Sequence, residues 1–166
     1  MTPPKELSYE LRTVKNPHMQ RRRWIMGLSL VGAAMGQIVS LFQMGIVKRL
    51  PDPPVRIFNS TKVDASAYAY RFFDMPDAPL MIINYGLTAA FASAGRAGRA
   101  RLQPILPVLM AVKIAGDVVV DLELAREEWA ENKALCFYCQ TATVISLISL
   151  VLALPEALEG LRHLDD

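Results

Sequence analysis

Three long stretches without charge constrain this chain more than any other feature. No Asp, Glu, Lys, Arg or His occurs from Trp24 to Val47, from Ala78 to Gly95, or from Ala134 to Pro155. A helix needs roughly 18–20 such residues to cross a hydrocarbon layer about 30 Å thick, where every backbone N–H and C=O must be satisfied inside the segment. A fourth stretch, Leu102 to Leu124, is apolar apart from Lys113, Asp117, Asp121 and Glu123. A soluble domain of 166 residues rarely carries three uncharged runs of that length. The pattern predicts an all-α fold: an integral membrane four-helix bundle, with spans at about 24–47, 78–95, 102–124 and 134–155. Residues 1–23 form a basic tail, 24–155 the membrane domain and 156–166 a short second tail. The first run is too long for a signal-peptide core, follows a polar stretch and precedes no small-residue cleavage site, so it reads as an uncleaved first span.

The net charge of +2 says little, but its distribution orients the chain. Arg21–Arg23 and the link containing Arg96, Arg99 and Arg101 border the spans closely. Lys and Arg stay on the cytoplasmic side, so both termini are expected there. Lys48 and Arg49 point the other way and are outnumbered. The acidic link before span 4 then falls on the outer side. Nothing in this pattern points to nucleic acid; the expected surroundings are membrane lipid.

The connection between spans 1 and 2 holds Pro51, Pro53, Pro54 and Pro76, with an amphipathic piece from Ala65 to Phe73. Tyr68, Phe72 and Phe73 recur on a roughly helical spacing. This piece is expected as an outer loop with a short interfacial helix, either a lid over the bundle or a plain surface helix. Gly32 and Gly36 form a small-xxx-small step that lets another helix approach span 1, inside the bundle or across a dimer. Lys113, Asp117 and Asp121 share one face of span 3. Charges at membrane depth are expensive and usually face inward in pairs, so they either orient the helix or serve a polar site. Asn84 and Tyr85 in span 2 are able to donate hydrogen bonds to a carbonyl group of a bound ligand, or to a neighbouring helix.

The only cysteines, Cys136 and Cys139, open span 4 as Cys-Phe-Tyr-Cys. A helix N-terminus lowers a thiol pKa, and this spacing lets a disulfide open and close. Other readings stand beside the redox one: a structural disulfide, which would close a very small loop and add little, or two inert buried thiols. Zinc needs about four ligands, and the remaining soft candidates, His18 and His163, sit in tails on the opposite side, so no metal is expected.

The run Ala134-Leu-Cys136-Phe-Tyr-Cys139, the loop Lys62-Val63-Asp64-Ala65-Ser66-Ala67-Tyr68, then Phe72-Phe73-Asp74-Met75-Pro76 and Asn84-Tyr85-Gly86 together resemble the vitamin K epoxide reductase family, in its compact bacterial form. The resemblance spans about residues 24–155. It implies a four-helix bundle around a quinone (ubiquinone or menaquinone) in a bacterial inner membrane, with the cysteine pair on the outer side. It implies that Cys136 exchanges with a thioredoxin-like thiol donor and that Cys139 is the quinone-proximal sulfur. Ser66, Pro76 and Tyr85 match the family's serine, turn proline and helix tyrosine. Many members carry a second cysteine pair in the first outer loop, and this chain has none. Ser60 stands at one of those positions, Asp74 where the family usually has Gly, and Thr143 where some members have Tyr. The expected function is membrane thiol:quinone oxidoreduction through Cys136 and Cys139. The alternative is a non-catalytic subunit, derived from this family, within a larger assembly of membrane proteins.

Overall fold

The computed structural model describes residues 3–71 and 74–164. Among them are seven α-helices: α1 (Pro4–Thr13), α2 (Pro17–Gln43), α3 (Ser60–Asp64), α4 (Ala78–Ser93), α5 (Arg99–Leu102), α6 (Ile105–Asn132) and α7 (Phe137–Arg162). A 3-10 turn, Ala67–Tyr70, follows α3, and the only β-type pairing among the described residues is one bridge between Phe58 and Leu135. All-helical architecture is thus as expected.

The helix boundaries differ from the uncharged runs because capping, not hydropathy, sets them. Asn16 caps α2 by accepting the Met19 N–H at 2.7 Å, with Pro17 preset for the first turn. The helix therefore starts well before Trp24. Likewise α6 runs past Leu124 to Asn132 and stops where Lys133 turns left-handed, at φ 51°. Pro155 does not end α7, which continues to Arg162.

Helices α2 and α7 are long and apolar enough to cross a membrane. The 16 residues of α4 are apolar but reach only about 24 Å at about 1.5 Å per residue.

The four longest helices pack together. α2 lies against α4 and α7, α6 lies along α7, and α4 touches α6. The glycine step of α2 serves this internal packing. A Cβ at Gly32 would sit 2.6 Å from the Tyr85 ring, and one at Gly36 would sit 3.1 Å from the Ile82 side chain. Lys113 points inward as well, donating to Asp117 at 2.6 Å, to the Thr88 hydroxyl at 2.6 Å and to the Asn84 carbonyl at 2.8 Å. Large aliphatic side chains, among them Leu30, Ile83, Val112, Val119 and Val151, cover the outer faces of these helices and are exposed.

One end of the bundle is held by arginines. Arg22 is buried and donates to the carbonyls of Ala92, Ala94, Gly95 and Arg96, which lie at and beyond the C-terminus of α4. Arg99 has no exposed surface and makes a two-bond pair with Glu156, at 3.0 and 2.8 Å, while also donating to the Phe91 and Ala94 carbonyls. His18 reaches Glu159 at 2.9 Å, so the start of α2 and the end of α7 share this end. Some of the basic residues that mark it in the sequence are therefore structural clamps. The α2–α4 connection and the α6–α7 junction form the other end.

A candidate thiol–disulfide site at the start of α7

Cys136 is the N-cap of α7, and its sulfur accepts the Cys139 N–H at 3.2 Å. This geometry follows from the Cys-x-x-Cys spacing, which lays the second cysteine one turn along and over the first. Both cysteines are free thiols.

The α2–α4 connection is stapled over Cys136. Asn59 donates its N–H to the Leu135 carbonyl at 3.0 Å, and Leu135 returns one to Ile57 at 2.9 Å. The Phe137 N–H donates to the Ser60 hydroxyl at 2.9 Å, and that hydroxyl donates to Asp52 at 2.5 Å. Lys62 donates to the Asn132 carbonyl at 2.6 Å, and the Tyr138 hydroxyl to the Pro51 carbonyl at 2.8 Å. Phe58 meets the Phe137 ring edge-to-face at 5.5 Å. Cys136 is left with 0% exposure, whereas Cys139 keeps a partly open face.

That face opens on a cavity of about 420 Å³. Its walls are mostly apolar, with Met81, Ile83, Leu87 and Val120 among them, and Tyr68, Asn84, Tyr85, Asp121, Glu128 and Gln140 add polar atoms. Of the residues the sequence singles out, Cys139, Asn84, Tyr85 and Asp121 share this cavity and Cys136 lies directly behind it. Ser66 does not line it; its hydroxyl donates to the Val63 carbonyl at 2.6 Å and holds the end of α3. The Tyr85 hydroxyl is already engaged, donating to the Ala142 carbonyl at 2.7 Å and sitting 3.1 Å from the Ser146 hydroxyl. Asn84 is the freer of the two. The expected interfacial helix over 65–73 is reduced to the 3-10 turn, in which Tyr68 points inward, lines the cavity and donates to the Leu124 carbonyl at 3.1 Å. Phe72 and Phe73 lie outside the described residues.

Two acids that the sequence does not assign to the site stand beside the thiols. Glu128, on the extension of α6, accepts the Cys136 N–H at 3.1 Å and the Gln140 amide at 3.2 Å, and burial pushes its carboxyl up to about 7. Asp64, the last residue of α3, places a carboxylate oxygen within 4.8 Å of both sulfurs. It brings the cluster to three donor atoms, one short of a tetrahedral zinc set. Both acids lie in otherwise polar connecting stretches, and only the folding of the α2–α4 connection onto the α6–α7 junction brings them to the cysteines.

A family model described as the vitamin K epoxide reductase family matches residues 23–154. The chain belongs to that family. No curated protein matches it. The match takes in α4, α6, α2 from residue 23 onward and α7 as far as residue 154, together with the stapled connection. Two of the positions at which the resemblance is incomplete have a visible local environment. The backbone at Asp74 is left-handed, with φ 52°, which a glycine adopts freely and an aspartate tolerates. Ser60 abuts the first turn of α7 and is wholly buried. At the third, Thr143 donates its hydroxyl to the Cys139 carbonyl at 3.0 Å and lines the cavity.

Proposed function

We propose that this protein is a membrane thiol:quinone oxidoreductase that works through a Cys136–Cys139 disulfide. The observation that carries the reading is the position of the pair: Cys139 on the wall of an apolar cavity, Cys136 enclosed behind it. A cavity of about 420 Å³ is of the size that holds a flat organic ring system. Its aliphatic walls and the Asn84 side chain, whose amide N–H donates, fit a ring with carbonyl groups. A bound quinone, ubiquinone or menaquinone, supplies a two-electron acceptor there.

In this reading the chain's own residues have distinct tasks. Cys139 is the quinone-proximal thiol, and Cys136 is the sulfur that exchanges with a thioredoxin-like donor. Because the segment from Ile57 to Lys62 covers Cys136, donor exchange requires that segment to swing aside. Tyr85 fixes α4 to α7 through its hydroxyl, and Asn84 orients the ring. Ser66 acts only by holding the end of α3. The four long helices form the membrane bundle, with lipid against the exposed aliphatic faces. Trp24 at the arginine end and Trp129 near the cysteine end are exposed, as aromatic residues at the two membrane interfaces are. With the arginine end cytoplasmic, as in a bacterial inner membrane, the thiols face outward.

The absence of loop cysteines favours a second reading, a non-catalytic subunit of a membrane assembly. One measurement separates the two: quinone reduction by the purified protein with a small dithiol as donor. Turnover that disappears in both Cys136→Ser and Cys139→Ser supports the oxidoreductase. A wild-type rate no greater than that of the two variants overturns it in favour of the subunit.

A further inference from the structure

We propose that Asp64 accepts the proton of the Cys136 thiol when the pair closes to a disulfide, and delivers a proton to that sulfur when the disulfide opens. The proposal rests on the thiol–disulfide reading above and gives a chemical role to a residue that reading leaves idle.

Asp64 is 1% exposed, and its Oδ2 is buried with no hydrogen-bond partner among the described residues. A buried carboxylate oxygen without a donor is costly, and a thiol proton is the donor within reach. One Asp64 oxygen and the two sulfurs lie within 4.8 Å of one another. Cys136 has no exposed surface, so bulk water does not carry its proton away. The neighbouring acid, Glu128, takes the Cys136 N–H and the Gln140 amide on its Oε2, and its thiol neighbour is Cys139, which leaves Asp64 as the acid for the Cys136 thiol. Asp64 is held in place by α3, which Asn59 caps by accepting the Lys62 N–H at 3.1 Å.

The electrostatics suit a shuttle. Burial pushes the Asp64 carboxyl up to about 8, with the nearby Cys136 thiol pulling the other way. The titratable groups facing it are Asp52 in the connection, Asp77 before α4, Glu128 on α6, the phenols of Tyr70 and Tyr138, and the two thiols. Burial raises the Cys136 thiol as well, and a carboxyl raised in the same direction is a closer match to it for proton exchange than an ordinary, solvated aspartate.

The step balances. On closure both thiols lose a proton, an S–S bond forms between Cys136 and Cys139, and two electrons and two protons pass in the end to a quinone-class acceptor. The Cys136 proton goes first to Asp64. On reduction an external dithiol supplies two electrons and two protons and is itself left as a disulfide; the Cys136–Cys139 bond breaks, and one of those protons reaches the Cys136 sulfur through Asp64.

The test uses the full chain in detergent without quinone. Reduced protein is oxidised with diamide, which takes two electrons and two protons from a dithiol, and closure is timed by acid quench and thiol alkylation. Wild type and Asp64→Asn are compared from about pH 6 to about pH 10, a range that spans ordinary thiol titration. Asp64→Asn is expected to close at least about tenfold more slowly near neutral pH, with the deficit shrinking as hydroxide takes over. A purely electrostatic role predicts the opposite sign, because deleting a negative charge eases thiolate formation. An Asp64→Asn rate at or above wild type near neutral pH overturns the proposal. If that variant does not fold, redox-difference infrared spectra of Glu128→Gln decide. A protonated-carboxyl band that changes between dithiol and disulfide supports Asp64, and an unchanged carboxyl region refutes it. Closure slowed in Asp64→Asn, in a protein that reduces no quinone, leaves the role of Asp64 standing and removes only the quinone. A wild-type pair that never closes removes both.

Discussion

Gly32 offers the sharpest quantitative test of the packing around the cavity. The Tyr85 ring lies flat against its Cα, and a Cβ there would stand 2.6 Å from the ring, with two more ring atoms at 2.7 Å. Carbon atoms in contact prefer about 3.5–4.0 Å, so the ring or α2 must retreat by about 1 Å. Tyr85 is 4% exposed and tied to α7 through Ala142, so the ring has nowhere easy to go. Overpacking of this kind costs about 1–3 kcal/mol. Gly32→Ala is therefore expected to lose about that much stability in thermal or denaturant unfolding of the detergent-solubilised protein. Gly27→Ala and Gly86→Ala are the controls. Nothing lies within 4 Å of either added Cβ, and replacing glycine by alanine inside a helix gains up to about 1 kcal/mol. Tyr85→Leu should restore much of what Gly32→Ala loses, since the clash is with the ring. If Gly32→Ala is as stable as Gly27→Ala, the α2–α4 contact described above is wrong.

The other expectations concern the ends of the bundle and the thiol site. Glu156→Leu should destabilise by about 3–5 kcal/mol because it strands the Arg99 guanidinium in the interior, and Arg99→Met in the same chain should recover most of the loss; unfolding of the single and double variants measures both. Burial raises the Glu128 carboxyl from 4.5 to about 7, so its contribution to stability is full below about pH 4.5 and is lost as pH rises through about 7. Glu128→Gln should flatten the pH profile of the unfolding midpoint across that window, and an unchanged slope would contradict the assignment. Ser60→Cys puts a thiol against the first turn of α7, yet a relay needs two thiols, so donor-driven turnover should not rise; an increase in the assay of quinone reduction would show that one loop thiol suffices. A membrane-impermeant thiol reagent should reach reduced Cys139 or Cys136 from the outer face of oriented vesicles, and labelling only from the cytoplasmic face would reverse the orientation.

The sequence by itself determined the all-helical class of the fold and the place of the cysteine pair at the start of its last helix. Uncharged runs mark α2, α4 and α7 because hydropathy is a local property, and the Cys-x-x-Cys spacing on a helix start sets the relation of Cys136 to Cys139 through local backbone geometry. The family match over residues 23–154 is legible for the same reason, since it reads short motifs in order. Helix ends were not legible from hydropathy: Asn16 and Lys133 set them by capping and by a left-handed turn. Nor was the task of the basic clusters. Arg22 and Arg99 look like membrane-flanking charges, and only the tertiary structure turns them inward onto the open carbonyls beyond α4 and onto Glu156. The same holds for the acids of the site. Asp64 and Glu128 are far from the cysteines along the chain in one case and on another helix in both, in stretches that read as solvated connections. Pairing of the α2–α4 connection with the α6–α7 junction, a non-local event, strips water from both carboxyls and sets them beside the sulfurs. Burial, which shifts an acid toward neutrality, is a property of the assembled molecule and of no single segment.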